Sequence, residues 1–228
     1  MFLFKKHYKG LEREIAGLRF LNPVGLYRQA ESLRVRPLAG FGLGFLTLNP
    51  DSGNLLEWIQ RLAEHRSSLN GTLLGVNLKK DIERSFSLVY DFADFIIIDT
   101  DSNEGIGSTD LPDIPDLLEE LLKLRLCYEH YTPIFVRLPS GLDQEDMQSL
   151  LSYSLLSGIN GIVAKGLGTL NTVLDISQRR MPVIGHAASP EEAASMLQQG
   201  AILTELDVRH PMALRLLKNL EKEAKKHD

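Results

Sequence analysis

The chain is predicted to fold as an α/β protein, a single compact (β/α)8 TIM barrel with short loops. Three observations predict it: eight short apolar runs alternate with helical patterns, each run is continuous rather than alternating, and no linker or low-complexity break divides them. Unbroken apolar runs are what strands become when a parallel sheet is covered on both faces. The same units could form an open doubly wound sheet, but no G-x-G-x-x-G follows the first strand, and eight is the number that closes a barrel. At 228 residues the chain is a little shorter than the usual barrel of about 250.

One domain over residues 1–228 is expected, in which "MFLFKKHYKGLEREIAGLRF" (1–20) forms an N-terminal cap over the barrel bottom. The strands are "NPVGL" (22–26), "FLTLN" (45–49), "TLLGVN" (72–77), "DFIIIDT" (94–100), "PIFVRLP" (133–139), "GIVAKG" (161–166), "PVIGHA" (182–187) and "AILTEL" (201–206). Each is bounded on at least one side by Gly, Pro, Asn or Asp, the residues that punctuate strands. Helical patterns follow at 28–36, 54–66, 81–91, 113–128, 143–157, 168–179, 189–198 and 210–225. The second carries Trp58 on its apolar stripe, expected to pack on the barrel. The fourth ends through Cys127, expected to be a core thiol. The seventh is entered through Ser189-Pro190-Glu191-Glu192, an N-cap serine, a proline at the first helical position and a glutamate three residues after the cap. The last ends in "KNLEKEAKKH", whose cations suit a helix C-terminus.

Composition excludes several classes of function. With 43% apolar residues the chain can bury a full core, and a formal charge of −5 argues against nucleic acid as a general partner. A single cysteine allows no internal disulfide, and the opening apolar stretch is too short for a signal peptide or a spanning helix, so a cytoplasmic location is expected. His186 has no second histidine or carboxylate at metal spacing, so no metal site is expected.

In a barrel of this kind the working groups sit at the C-terminal ends of the strands. Those ends carry Asn49, Asn77, Asp99 with Asp101 and Ser102, Arg137, Lys165, His186, and Glu205 with Asp207. Some of these suit helix caps, notably Asp101, Ser102 and Asp207. Arg137 and Lys165 do not, because a cation before a helix start opposes its dipole. A small-molecule or phosphate-bearing ligand at the C-terminal mouth is therefore expected.

Several stretches together resemble one family. They are "LRFLNPVGL" (18–26), "GFGLGFLTLNP" (40–50), "GVNLKK" (75–80), "FIIIDTDSNEGIGSTDL" (95–111), "PIFVRLPSGLDQEDMQSLLSYSLLSGINGIVAKG" (133–166) and "PVIGHAASPEEAASMLQQGAILTEL" (182–206). In order and nearly end to end, they resemble dihydroorotate dehydrogenase, the membrane-associated, quinone-using class most closely. The resemblance implies an FMN-binding barrel that oxidises dihydroorotate in pyrimidine biosynthesis. It places Ser102 on the base that takes the substrate's proton, and Arg137 on a lysine that reaches the flavin. It places cofactor contacts on Asn77, Arg137 and the turn Gly185, His186, Ala187, Ala188 and Ser189, whose amides would grip the FMN phosphate. It places Asp99 and Glu104 on two asparagines that bind the pyrimidine.

The chain departs from the family's pattern at most of these places. Carboxylates at 99 and 104 would repel the carboxylate of orotate. The turn glycines that follow Gly185 have become Ala187 and Ala188, which disfavour positive φ, and the strap after the last strand has become "TELDVRH". No lysine follows the first strand, and Lys165-Gly166-Leu167 replaces a pyrimidine-binding run.

Three functions follow as expectations. The first is an FMN oxidoreductase of this family, with its flavin chemistry reduced or lost. The second is a non-catalytic paralogue acting as a binding or regulatory module, partnered by another protein or by a second copy in a homodimer. The third is a Schiff-base lyase, with Lys165 as the nucleophile in an apolar setting, Asp99 shuttling a proton and Arg137 binding a substrate anion. Pairing of Lys165 with Asp99 or Glu205 is the structural alternative to that role.

Overall fold

A computed structural model describes residue 8 and residues 10–29, 42–50, 55–69, 71–100, 113–207 and 210–227. A hairpin of β1 (Arg13–Ile15) and β2 (Leu18–Phe20) precedes the barrel strands: β3 (Val24–Gln29), β4 (Phe45–Asn49), β5 (Leu73–Leu78), β6 (Phe95–Asp99), β7 (Ile134–Arg137), β8 (Gly161–Lys165), β9 (Val183–Ala187) and β10 (Leu203–Leu206). All eight pair in parallel and close, with β10 bonded to β3. Helices α1 (Leu55–His65), α2 (Ile82–Val89), α3 (Asp113–Arg125), α4 (Gln144–Ser157), α5 (Gly166–Ile176), α6 (Pro190–Gln199) and α7 (His210–His227) alternate with the strands. The expected (β/α)8 barrel is thus the observed fold.

Two differences from the sequence reading matter. The first barrel strand runs on to Gln29, so Arg28 and Gln29, expected to begin a helix, are strand residues; the rest of that expected helix lies outside the described residues. Cys127 is exposed rather than buried, because α3 ends at Arg125 and the thiol falls in the turn beyond it. Trp58 does pack against the core and meets Phe92 edge-on.

Inside the barrel, period-two alternation sends one set of side chains to the axis and the other to the helices. The outward set joins the helices in one large apolar cluster. The inward set forms a second, made of Phe45, Phe95, Ile97, Phe135, Val163, Ile184 and Leu203, with Ile15 and Phe20 from the hairpin. Its rings fit because glycines stand opposite them: a Cβ on Gly25 would strike the Phe45 ring and one on Gly75 the Phe95 ring. The lower lumen is therefore a packed core, and Phe20 seals it at a centroid distance of 5.6 Å from Phe45. Only the upper ends of the strands remain for polar groups. No helix among the described residues is long and apolar enough to cross a membrane.

Candidate functional site

The upper inward positions of four strands carry Tyr27, Asn77, Arg137 and His186, and the rim beyond them carries Gln29, Asn49, Asp99 and Lys165. Arg137 organises the site. Its Nη2 donates to Glu205 Oε1 at 2.6 Å, and its Nε donates to Asn77 Oδ1 at 3.3 Å and lies 3.3 Å from Asp99 Oδ2. Asn77 Nδ2 in turn donates to Asp99 Oδ2 at 2.9 Å and to Asn49 Oδ1 at 3.2 Å, and Asn49 reaches Gln29. The guanidinium also stands over the Tyr27 ring, 5.2 Å from its centroid. Arg137 is 4% exposed, Asp99 5% and Glu205 0%, so this is a buried ion-pair network rather than a set of open contacts.

His186 joins the network from β9. Its Nδ1 lies 2.8 Å from the Glu205 oxygen that Arg137 also uses, and its ring meets Tyr27 edge-on at 5.2 Å. An ionised carboxylate only accepts, so Nδ1 carries the shared proton. Burial alone would push the Glu205 carboxyl up, but Arg137 and then His186 outweigh it and hold it at about 2, against an ordinary 4.5. Burial also opposes the charge of Arg137, yet Glu205 and Asp99 keep the guanidinium above its ordinary value. Burial raises the Tyr27 hydroxyl well above its usual range.

The sequence-expected residues divide into groups. Asn77, Asp99, Arg137 and His186 meet at one rim. Lys165 is level with His186 in the strand pairing and is exposed, at the start of α5. Its exposure differs from the apolar setting expected of it. Ser102 and Glu104 lie outside the described residues.

Gly185 faces helix α6, where a Cβ would stand 2.6 Å from Met196 Sδ and 3.2 Å from Met196 Cβ, so its small size serves helix packing. Ala187 is buried against the core. Ser189 caps α6, its Oγ accepting the Glu192 N–H at 3.1 Å, while Ala188 N–H donates to Glu192 Oε2 at 2.8 Å.

Sequence reasoning missed Tyr27 because the first strand was ended at Leu26. Continuing the inward alternation from Gly25 would have found it. Glu205, expected as one of the rim residues or as a partner of Lys165, instead holds Arg137. Among the described residues no group of three or more His, Cys, Asp or Glu is arranged to hold a metal.

The fold and site define a class: a closed (β/α)8 barrel with a polar C-terminal rim over a packed apolar lumen. No family model matches the chain. It is 27% identical to the dihydroorotate dehydrogenase (quinone) of Dichelobacter nodosus over 212 residues, covering 74% of this chain and 60% of that protein. It is 26% identical to that of Prochlorococcus marinus over 238 residues, covering 82% and 58%. The chain therefore spans roughly three-fifths of these relatives' length. Among solved structures it is similar to DHODH from Eimeria tenella in complex with ferulenol, with TM-score 0.74 and 16% identity, covering 98% of this chain and 87% of that one. At low identity, the chain is similar to dihydroorotate dehydrogenases.

Proposed function

We propose that this chain is a dihydroorotate dehydrogenase-like protein in which the flavin chemistry has been lost, leaving a barrel that acts as a non-catalytic binding or regulatory module. The observation that carries this reading is the state of Arg137. In the position assigned to a flavin-reaching cation, it is buried and engaged by Glu205, Asp99 and Asn77. A group that must stabilise a reduced cofactor needs its charge available; here two carboxylates from its own chain neutralise it.

The described residues fit FMN poorly at the phosphate end as well. Exposed Asp207 follows the last strand, 3.5 Å from Arg28 Nη1, and a carboxylate there opposes a phosphate dianion. The mouth keeps what a small polar ligand would meet: Lys165, part-exposed His186, Gln29 and Asn49.

The test is the visible spectrum of the purified protein, followed by titration with FMN monitored by flavin fluorescence. The expected result is a colourless protein that leaves FMN fluorescence unchanged. A yellow preparation, or saturable quenching, would overturn the reading and restore the oxidoreductase assignment, with oxidation of dihydroorotate as its assay.

A further inference from the structure

We propose that the Glu192 carboxylate occupies the seat a phosphate takes in barrels of this kind, so that the chain carries its own anion where a cofactor's would bind. The inference rests on the proposed loss of the flavin and deepens it, by naming the residue that excludes the cofactor's phosphate.

In (β/α)8 barrels a phosphate site is frequently built by the loops after the seventh and eighth barrel strands, here β9 and β10. At the exit of β9 the Ala188 N–H donates to Glu192 Oε2 at 2.8 Å. The Glu192 N–H is itself taken by Ser189 Oγ at 3.1 Å. Two backbone donors at the entry of α6 are thus satisfied from within, as in a capping box except that the glutamate takes the N–H of the residue before the N-cap.

The other carboxylate oxygen faces a second helix. Glu192 Oε1 stands 3.8 Å from where a Cβ on Gly166 would be, at the start of α5. The carboxylate therefore lies by the N-termini of two helices, each the positive end of a macrodipole. Gly185 does not open this turn to a ligand, since Met196 of α6 fills the space over it. At the exit of β10, Asp207 is paired with Arg28 at 3.5 Å, and its N–H donates to Ala187 O at 3.2 Å. An entering dianion would have to displace Glu192 and then remain beside it.

An ordinary capping glutamate has the same local geometry, so the distinction lies in what its removal exposes. The experiment compares thermal unfolding of the full chain, with and without inorganic phosphate, for wild type, Glu192→Ala, Glu192→Gln and Ser189→Ala. Wild type and Ser189→Ala are expected to be indifferent to phosphate, because Glu192 stays in place in both. Glu192→Ala is expected to bind phosphate at least about tenfold more tightly than wild type and to gain roughly 2–4 °C in Tm when saturated.

Glu192→Gln keeps the cap but not the charge and should gain part of that response, which keeps the test informative if the alanine variant folds poorly. Two results would overturn the proposal: Glu192 variants as indifferent as wild type, or a wild type already stabilised by phosphate. A colourless wild type with unresponsive variants would sink this inference alone, whereas a yellow wild type would sink the functional reading beneath it.

Discussion

At the scale of the residue, the molecule turns on one choice, whether Glu205 meets Arg137 or a ligand. Glu205 is fully buried, and a buried carboxylate survives only when paired. Replacing it with the isosteric Glu205→Gln removes the charge but not the volume, leaving Arg137 with Asp99 as its charged partner. We expect a loss of roughly 3–5 kcal/mol in urea unfolding; a loss below about 1 kcal/mol would mean that the pair contributes little.

The pH dependence has a definite sign. The folded state holds this carboxyl at about 2, against 4.5 ordinarily, so the unfolded chain binds more protons between those values. The stabilisation is complete above pH 4.5 and is lost as pH falls toward 2, on the order of 3 kcal/mol in all. Acid titration of unfolding free energy should therefore fall less steeply in Glu205→Gln than in wild type; parallel acid limbs would contradict the assignment. Residue identity made the rim legible in sequence, because Arg137, Lys165, His186 and Glu205 all close apolar runs. Which carboxylate neutralises which cation was not legible, since partners 68 residues apart meet only through closure of the sheet.

At the scale of the element, glycines decide how the strands fill their own interior. Gly25, Gly75 and Gly161 each leave room for a phenylalanine ring from a neighbouring strand, which is why the lower lumen is filled by apolar side chains and the polar groups gather toward the rim. In sequence these glycines look like weak points in otherwise apolar runs, and nothing local shows that a ring from the next strand lies over them. The strands themselves were legible to within a few residues, because their apolar runs are continuous. The end of β3 was not, because Arg28 and Gln29 are polar and extend the strand beyond its apolar part.

The ring-over-glycine arrangement makes a paired prediction. Gly75→Ala puts a methyl group into the Phe95 ring and should cost about 1–3 kcal/mol by overpacking. Phe95→Leu in the same chain should relieve the clash, so that the double variant is more stable than the sum of the two single losses. Simple additivity of the unfolding free energies would show that the two positions do not share that space.

At the scale of the whole molecule, the barrel is closed at both ends by means that look unrelated in sequence. The top is closed by charge, through Arg137 reaching from β7 to Glu205 on β10. The bottom is closed by aromatic packing, through Phe20 of the hairpin lying 5.6 Å from Phe45 and 6.0 Å from Phe95. The barrel stands between a plug below and an ion-pair lock above, an arrangement that favours rigidity over an open channel to the mouth. If the hairpin is part of the same cooperative unit, removing its anchor must be felt by the entire fold. Phe20 is fully buried, so Phe20→Ala should cost roughly 3–5 kcal/mol, the transfer term of a large ring plus the cavity it leaves. Urea unfolding should show the midpoint falling with the slope unchanged and a single transition retained. A hairpin that merely rests on the barrel would instead give a loss of under about 1 kcal/mol, or an early separate transition. The bottom of the barrel would then owe its closure to the three-ring strand core alone.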